Sequence, residues 1–377
     1  MAIAAVVSAL YLAFAFLQWY GWKRTPVFVI PGEYEPSVKI SVIIPARNEE
    51  RNIRDLIAGL LRQEYPEHLL EIILVDDHST DRTFFVAQEF SSPVLNVLRS
   101  YNPGDRLHKK RALETGIAAA SGELIVTTDA DCAHPPQWVK GIAAFYETYR
   151  PRLVLAPVCY REPVSALQHF QQLEFSALMM TTAASVFYRR PVMANGANMA
   201  YARNTFAEVN GYENDRLASG DDVSLLSRIR MRYGSGSVRF IRSAGVLVET
   251  EAAQTWKELI GQRTRWASKN LASRDLFSFL LAGCLAAYIF LLPVSVIVSV
   301  FNPELFYVPL ALFILKTGAD SLLFITYANF SGRKAALWYI VWSELLYIPY
   351  LPVILYRSLA GVYEWKGRTI RDSGGKK

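Results

Sequence analysis

Four long apolar stretches, at residues 2–20, 276–301, 305–329 and 335–356, divide the chain. The first two contain no charged residue, the third contains only Lys316 and Asp320, and the fourth contains only Glu344. Each is long enough to cross a hydrocarbon core of roughly 30 Å as a helix. Residues 36–270, between the first and second stretches, have the mixed pattern of a globular domain. The chain is therefore predicted to be a membrane protein with one globular domain.

The first apolar stretch resembles an uncleaved anchor more than a cleaved signal peptide. No basic residue precedes it, whereas Lys23 and Arg24 follow it directly. Basic residues flank spans on the cytoplasmic side, so its C-terminal end is expected in the cytoplasm. This orientation predicts a cytoplasmic globular domain.

The globular segment alternates between strand and helix patterns. Mostly apolar runs at residues 39–45, 70–75, 94–98 and 123–127 are typical of buried strands. Residues 49–63 and 108–120 have helical spacing of apolar positions. Strands that alternate with helices predict an α/β fold with a mostly parallel, doubly wound sheet.

Polar and acidic residues follow three of the predicted strands. They are Arg47-Asn48-Glu49, Asp76-Asp77, and the pair Asp129 and Asp131. Any single group is compatible with a solvated turn or a helix cap. In parallel sheets, however, ligands bind at the carboxyl ends of the strands, where all three groups are expected. No glycine-rich dinucleotide fingerprint follows the first strand, which disfavours a Rossmann dehydrogenase.

Two further features add candidate chemistry to these acids. Asp129 and Asp131 are spaced to share Mg²⁺ or Mn²⁺, leaving open positions for the phosphate oxygens of a diphosphate leaving group. Asp221 and Asp222 precede an apolar-periodic helix at residues 223–229. They fit either a simple helix N-cap or a general base that takes a proton from an attacking hydroxyl.

Two segments fit a helix on the membrane surface, but each also fits a role in the globular domain. On a helix, Gln262, Arg265 and Trp266 share one face, which suits phosphate binding and an apolar wall but also suits an interfacial helix. Residues 162–188 fit an amphipathic helix on the membrane surface and equally a core helix of the globular domain.

Composition narrows the function classes. The chain has 377 residues, is 52% hydrophobic and carries a net charge of +6. The basic residues are scattered or lie beside the spans, which disfavours nucleic-acid binding. Three irregularly spaced cysteines indicate neither a disulfide framework nor a zinc site. A transporter is expected to have more spans than this chain.

Taken together, the motifs resemble the membrane-integrated family 2 glycosyltransferases, a group that includes cellulose, chitin and hyaluronan synthases and ceramide glucosyltransferase. The resemblance covers about residues 41–270 and the flanking spans. In order, its motifs are Asp76-Asp77, Asp129-Ala130-Asp131, Gly220-Asp221-Asp222 and Gln262-Arg263-Thr264-Arg265-Trp266. It implies a GT-A fold, an inverting mechanism, a divalent metal and a nucleotide-diphosphate sugar donor, with UDP expected.

The resemblance also implies roles by position. Pro45, Glu49, Asp76 and Asp77 would contact the nucleoside, and Lys109 would lie near the donor. Asp129 would contact the nucleotide and sugar and, with Asp131, the metal. Asp222 would be the catalytic base, with Asp221 beside it. Gly196 and Asn198 would line the acceptor side, while Gln262, Arg263, Arg265 and Trp266 would bind diphosphate and form the acceptor mouth.

The large synthases carry more membrane helices after the catalytic domain than this chain does. The expected reaction is therefore a single transfer to a lipid or lipid-linked acceptor. A processive polysaccharide synthase is the alternative, and a non-catalytic nucleotide-sugar-binding membrane protein is a further one.

The expected domain division is an anchor at residues 1–35, a cytoplasmic GT-A domain with interfacial helices at 36–274, and a membrane region with a basic tail at 275–377. A bacterial inner membrane is the expected location, and the oligomeric state is left open.

The C-terminal region raises two more questions. Three crossings would put the C-terminus outside, whereas the basic tail favours the cytoplasm. The last apolar stretch contains Pro349 and Pro352 and is therefore a candidate for a broken or re-entrant hairpin. Lys316 and Asp320, four residues apart, are expected to form a structural ion pair, with a grip on an acceptor headgroup as the alternative.

Overall fold

The computed structural model describes residues 1–101, 108–213, 220–272, 276–333, 337–360, 362–365 and 368–371. The helices are α1 (Ala2–Arg24), α2 (Ile53–Leu60), α3 (Thr83–Gln88), α4 (His108–Ala119), α5 (Trp138–Tyr149), α6 (Ala166–Phe187), α7 (Arg203–Glu208), α8 (Asp221–Tyr233), α9 (Trp256–Ala272), α10 (Leu276–Phe301), α11 (Tyr307–Ser331) and α12 (Leu337–Ala360). The strands are β1 (Ile40–Ala46), β2 (Leu70–Asp76), β3 (Leu95–Arg99), β4 (Leu124–Thr127), β5 (Leu153–Leu155), β6 (Val158–Tyr160), β7 (Met199–Ala202), β8 (Val238–Phe240), β9 (Val248–Thr250), β10 (Val362–Trp365) and β11 (Arg368–Arg371).

A mostly parallel sheet has the strand order β3-β2-β1-β4-β7-β5-β8. The four strands predicted from the apolar runs form its first half, and all of them pair in parallel. Strands β1, β2 and β4 are almost entirely buried, because parallel strands covered by helices on both faces need apolar side chains on both faces. The predicted α/β fold is confirmed.

The second half of the sheet departs from the simple alternation. Strand β7 lies antiparallel between β4 and β5, and β6 pairs with β9 in a small separate sheet. Strands β5, β6, β8 and β9 have three residues each, too few for a period of apolar positions to identify them. Strand β7 brings the segment around Gly196 and Asn198 to β4.

Two compact units make up the described chain. The sheet unit comprises Thr25–Arg161 and Ser185–Glu251. The helical unit comprises Met1–Arg24, Glu162–Ala184 and Ala252–Lys377. The sequence-based division kept residues 162–184 and 252–274 in the catalytic domain, whereas in the structure these segments pack with the apolar helices.

Within the described residues of the helical unit, four helices are long and apolar enough to cross a membrane, at Ala2–Arg24, Ala282–Phe301, Pro303–Ser331 and Trp338–Leu359. They correspond to the four apolar stretches of the sequence, and they fit membrane association. Helix α1 runs parallel to α11, as two contacts show: Tyr11 contacts Asp320, and further along both helices Trp22 contacts Tyr327.

Helix α6 is buried along much of its length instead of lying free on a surface. Phe170 packs with Leu259 of α9 and with Tyr350 and Ile354 of α12. Leu173 packs with residues of α11 and α12 in a second cluster. The part of α6 before Ser185 therefore packs within the helical unit and is not a core helix of the sheet unit, whereas the membrane-surface interpretation stays a prediction.

Helix α12 runs through Pro349 and Pro352 without a break. The suggestion of a broken or re-entrant hairpin is therefore wrong. A proline removes one amide donor and bends a helix without necessarily ending it when neighbouring helices support the turn. Beyond α12, β10 and β11 pair antiparallel, and most of the basic tail lies outside the described residues.

The expected ion pair between Lys316 and Asp320 is present and belongs to a larger buried group. The Nζ of Lys316 lies 2.7 Å from Oδ2 of Asp320 and also pairs with the carboxylate of Glu344. The hydroxyl of Tyr11 donates to Oδ1 of Asp320 at 2.6 Å. This Lys316 cluster joins α1, α11 and α12 through polar contacts inside an apolar unit.

Candidate active site

A lysine lies beside the acids that follow strand β4. Lys109, on α4, donates from Nζ to Oδ1 of Asp129 at 2.7 Å. The same Nζ lies 3.7 Å from Oδ2 of Asp221, at the start of α8. Two acids separated by more than ninety residues in sequence, Asp129 and Asp221, thus meet around one ammonium group. At Asp129 the chain itself supplies a neighbouring positive charge, the ammonium group of Lys109.

The charge of Lys109 is stabilised by these neighbours. Burial by itself would lower the pKa of the ammonium group, but the carboxylates of Asp129, Asp221 and Asp222 outweigh that effect. They hold the pKa well above its usual value, so Lys109 is a permanent cation at physiological pH.

Gly196 allows the groups around Lys109 to approach one another. A Cβ at this position would lie 3.1 Å from Oδ2 of Asp221 and 3.6 Å from Nζ of Lys109. The backbone N–H of Gly196 also donates to Oδ2 of Asp222 at 3.3 Å. The structure therefore brings Gly196, Lys109, Asp129, Asp221 and Asp222 together, as a single donor site requires.

Asp221 and Asp222 occupy the first two positions of α8, and Gly220 is the N-cap. Gly220 has φ +85°, in the left-handed region that glycine tolerates best. Neither aspartate is the cap residue, so the N-cap interpretation does not account for the pair. Asp221 is buried at 4% exposure, whereas Asp222 is half-buried and is the more accessible of the two.

The loop of Asp129 and Asp131 is suited to a hard divalent cation. Both side chains are half-buried, and the thiol of Cys132 donates to Oδ1 of Asp131 at 3.6 Å. Burial raises the pKa of the Cys132 thiol, and the nearby carboxylates of Asp131 and Asp129 raise it further. Within the described ranges no three His, Cys, Asp or Glu residues form a metal-binding group. Carboxylates at this loop with the remaining positions left to phosphate and water are the donor set that Mg²⁺ or Mn²⁺ takes in phosphoryl sites.

The ends of β1 and β2 form a second polar group. Arg47 donates from Nη1 to the carbonyl oxygen of Asp77 at 2.6 Å and lies 3.7 Å from its carboxylate. Asp76 is 1% exposed and accepts from the backbone N–H of Ser79 at 3.3 Å. Pro45 and Glu49 flank this group and are half-buried. Arg47 was not among the predicted site residues, although its position directly after a strand was a usable signal.

A series of side-chain contacts lies next to the loop of Asp129 and Asp131. The hydroxyl of Thr128 lies 2.7 Å from Nε2 of His134, whose ring lies 4.1 Å from that of Trp138. Burial lowers the pKa of His134 to about 3, which keeps the imidazole neutral at pH 7. Sequence reasoning missed His134 and Trp138. A histidine five residues after a strand-end aspartate, followed by two prolines, was the available signal.

Asn198 belongs to this scaffold. Its Oδ1 accepts from Nε1 of Trp138 at 2.9 Å, and its Nδ2 donates to the carbonyl oxygens of Pro157 and Val246, both at 2.8 Å. The residue is 1% exposed. This corrects the expectation that Asn198 lines the acceptor side, because its amide is used in holding strands and loops together.

The scaffold role of Asn198 predicts a stability effect. Asn198→Ala leaves the buried Nε1 of Trp138 and the carbonyl oxygen of Val246 without their partner, while the carbonyl oxygen of Pro157 still accepts from the backbone N–H of Val248. We expect the free energy of unfolding to fall by about 3 kcal/mol, within the range for buried unsatisfied groups. Thermal unfolding followed by tryptophan fluorescence measures this change. Unchanged stability with weakened acceptor use would instead favour the acceptor-lining role.

In the helical unit, Arg263 pairs with α6. Its Nε donates to Oε2 of Glu174 at 2.7 Å, and its guanidinium lies 4.2 Å from the ring centroid of Trp266. The hydroxyl of Tyr350, on α12, donates to the other oxygen of Glu174 at 3.2 Å. Arg263 is 4% exposed, which corrects its predicted role as a diphosphate ligand. Gln262, Arg265 and Trp266 are only half-buried, as their shared helix face predicts.

The ion pair of Arg263 with Glu174 predicts a loss of stability on substitution that an exposed residue of the same helix does not share. Arg263→Met leaves the carboxylate of Glu174, whose side chain is 12% exposed, without its cation. We expect the free energy of unfolding to fall by about 3 kcal/mol, the lower end of the range for breaking a buried pair. Lys257→Met removes an exposed charge from the same helix and is the control. Equal melting temperatures for the two variants would contradict the structural role of Arg263.

Comparisons with known proteins find similarity to glycosyltransferases. Residues 41–209 match the model of glycosyl transferase family 2. The chain is 28% identical over 249 residues to the probable glycosyltransferase YdaM of Bacillus subtilis, covering 62% of this chain and 55% of that protein. It is 39% identical over 102 residues to the dolichol-phosphate mannosyltransferase of Pyrococcus furiosus, covering 26% of this chain and 28% of that protein. These matches span little more than half, or less, of the relatives' own lengths.

One solved structure has a similar fold over nearly the whole chain. The mannosyltransferase PcManGT of Pyrobaculum calidifontis, solved with GDP-Man and Mn²⁺, superposes with a TM-score of 0.58 at 21% identity. The superposition covers 95% of this chain and 98% of that one. The similarity confirms the predicted GT-A fold.

Proposed function

We propose that this chain, which contains a glycosyltransferase family 2 domain, transfers a sugar from a nucleotide-diphosphate sugar to a lipid or lipid-linked acceptor at a membrane. The observation that carries the proposal is the cluster around Lys109. It combines a permanent cation, the metal-competent Asp129 loop and the accessible carboxylate of Asp222 at the carboxyl end of a parallel sheet.

Asp129 and Asp131 are the residues that would hold a divalent metal, and their oxygen donors fit Mg²⁺ or Mn²⁺. When bound, the metal supplies positive charge to the diphosphate leaving group. The group around Asp76 and Asp77, with Pro45 and Glu49, is proposed to hold the nucleoside. By resemblance the base is uracil, whereas the similarly folded PcManGT was solved with a guanine nucleotide, so both bases belong in the tests.

The proposed reaction is a displacement at the anomeric carbon. An acceptor hydroxyl forms the new bond to that carbon as the bond to the diphosphate oxygen breaks. Asp222 takes the hydroxyl proton, and the diphosphate leaves with both bonding electrons. Lys109 is proposed to stabilise the charge that grows on the departing oxygens. A diphosphate contact of Arg265 remains a proposal through the family resemblance alone. Gln262 and Trp266 remain proposed acceptor-side residues through the family resemblance alone.

A lipid acceptor is favoured by the helical unit and by a relative. Four apolar helices fit a protein that works at a bilayer, where the acceptor of a lipid-directed transferase resides. The Pyrococcus relative is named for dolichol-phosphate. The bacterial inner membrane, with the sheet unit in the cytoplasm, is the proposed location because cytoplasmic nucleotide sugars are then accessible.

The experiment is a donor screen with the purified full chain in lipid nanodiscs. Release of nucleoside diphosphate is measured with UDP- and GDP-sugars, with Mn²⁺ or Mg²⁺, in the presence and absence of a total lipid extract. We expect release with one donor class, dependence on a divalent cation, and stimulation by the extract. Asp131→Asn is expected to lose most of the cation-stimulated release, while Asp55→Asn, at an exposed helix position, serves as the matched control.

Two outcomes would contradict the proposal. Release that is independent of lipid and accompanied by a growing carbohydrate would indicate a polysaccharide synthase. Binding of a nucleotide sugar without any turnover, across all donors and the full extract, would indicate a non-catalytic nucleotide-sugar-binding protein.

A further inference from the structure

The position of Lys109 bears on how a metal reaches the site. Its Nζ is 2.7 Å from Oδ1 of Asp129, a normal charge-assisted hydrogen bond, and its side chain is 23% exposed. The contact is direct and places a full positive charge on one of the two carboxylates proposed to hold the metal. An ammonium group and a divalent cation at the same carboxylate repel each other.

No set of other ligands in the described part of the chain compensates for this repulsion. No group of three His, Cys, Asp or Glu side chains is present there to hold a metal. The thiol of Cys132 donates to Oδ1 of Asp131 at 3.6 Å. Among the residues that the structure describes, a metal that arrives alone therefore meets the carboxylates of Asp129 and Asp131 and the neighbouring cation of Lys109.

Resting on the proposed function, we infer that Lys109 makes metal binding depend on the donor. Without a diphosphate, Lys109 neutralises Asp129 and keeps the affinity for a divalent cation low. A bound diphosphate offers the ammonium group new anionic oxygens and adds its own ligands for the metal. The site therefore binds metal and nucleotide together, and each raises the affinity for the other by the same factor.

Gly196 and Asp221 fix Lys109 in this role. The carboxylate of Asp221 lies 3.7 Å from Nζ of Lys109 and attracts the ammonium group in addition to Asp129. Asp221 is 4% exposed. A side chain at position 196 would contact both Lys109 and Asp221, so glycine leaves room for their approach. Lys109 is thus a positioning and gating residue for the metal in addition to a donor contact.

The test measures Mn²⁺ binding by electron paramagnetic resonance of free Mn²⁺, using the full chain in nanodiscs. Wild type is compared with Lys109→Met and with the control Lys257→Met, which removes an exposed positive charge elsewhere. In the absence of nucleotide, we expect Lys109→Met to bind Mn²⁺ on the order of tenfold more tightly than wild type, a typical coupling factor. We expect the control to match wild type.

The second arm adds UDP or GDP. In wild type the nucleotide that binds is expected to tighten Mn²⁺ binding strongly, and in Lys109→Met by a smaller factor. Equal or weaker Mn²⁺ binding by Lys109→Met without nucleotide would overturn the inference, as would tight binding by wild type alone. The first arm needs no donor or acceptor, so it separates this inference from a failure of sugar transfer. If Lys109→Met does not fold, Lys109→Gln takes its place, and tight Mn²⁺ binding by wild type without nucleotide would still overturn the inference.

Discussion

Asp222→Asn is expected to lower the turnover number for transfer to a hydroxyl acceptor by about 10²- to 10⁴-fold, the usual contribution of a general base. The amide has the same shape but only one oxygen, so it keeps one of the two acceptors that serve the backbone N–H groups of Gly196 and Val223. The fold and the donor affinity are expected to stay near wild type, because the lost hydrogen bond is a single neutral donor at a half-buried position. Steady-state release of nucleoside diphosphate measures turnover, and nucleotide titration measures donor binding.

The same variant distinguishes two kinds of acceptor. A phosphate acceptor, such as a polyprenyl phosphate, is already anionic at neutral pH and needs no proton acceptor. A loss of only a few-fold in Asp222→Asn would indicate a phosphate nucleophile in place of a hydroxyl. Asp55→Asn, the same chemical change at an exposed position of α2, is the control. Full activity of Asp222→Asn with a hydroxyl acceptor would eliminate Asp222 as the base.

Lys316→Met is expected to produce the largest loss of stability. Lys316 is 5% exposed and is the cation for both Asp320 and Glu344. Its removal leaves two buried carboxylates facing each other within apolar helices, and breaking a single buried pair already costs about 3–5 kcal/mol. Thermal unfolding in detergent or nanodiscs measures the effect, and we expect a large decrease in melting temperature.

A compensated variant tests whether charge is the cause. Lys316→Met combined with Asp320→Asn and Glu344→Gln removes all three charges and should recover much of the stability. The hydroxyl of Tyr11 retains an oxygen acceptor in that variant. If Lys316 instead grips an acceptor headgroup, the single variant would fold with normal stability and show weakened use of the acceptor. That result would contradict the structural interpretation of the Lys316 cluster.

The first half of the fold was predictable because its signals are local. Each of β1, β2 and β4 is a mostly apolar run followed by polar residues. Those runs predicted both the strands and the edge of the sheet at which the acidic residues lie. Helix α2 is shorter than predicted because its polar flanks have partners elsewhere. The backbone N–H of Glu49 donates to Thr83, and the side chain of Gln63 binds the backbone at Pro135 and Val139.

Residues with distant partners were the ones that sequence reasoning misassigned. Asn198 and Arg263 both sit in functional-looking motifs, yet their side chains bind residues 60 and 89 positions away. A motif shows which residue types stand together in sequence and gives no information about a partner on another helix or strand. Glu344 illustrates the same limit, since its pairing with Lys316 bridges two apolar helices whose packing the sequence pattern leaves open.

The central claim is that a single sugar passes from a nucleotide-diphosphate donor to a membrane lipid. The most direct test is mass spectrometry of a total lipid extract after incubation with wild type in nanodiscs, the active donor and Mn²⁺ or Mg²⁺. We predict that one lipid class gains the mass of one sugar residue in wild type and in Asp55→Asn. No such product is expected without donor. A ladder of carbohydrate products, or an unchanged lipid extract despite consumption of the donor, would contradict the claim.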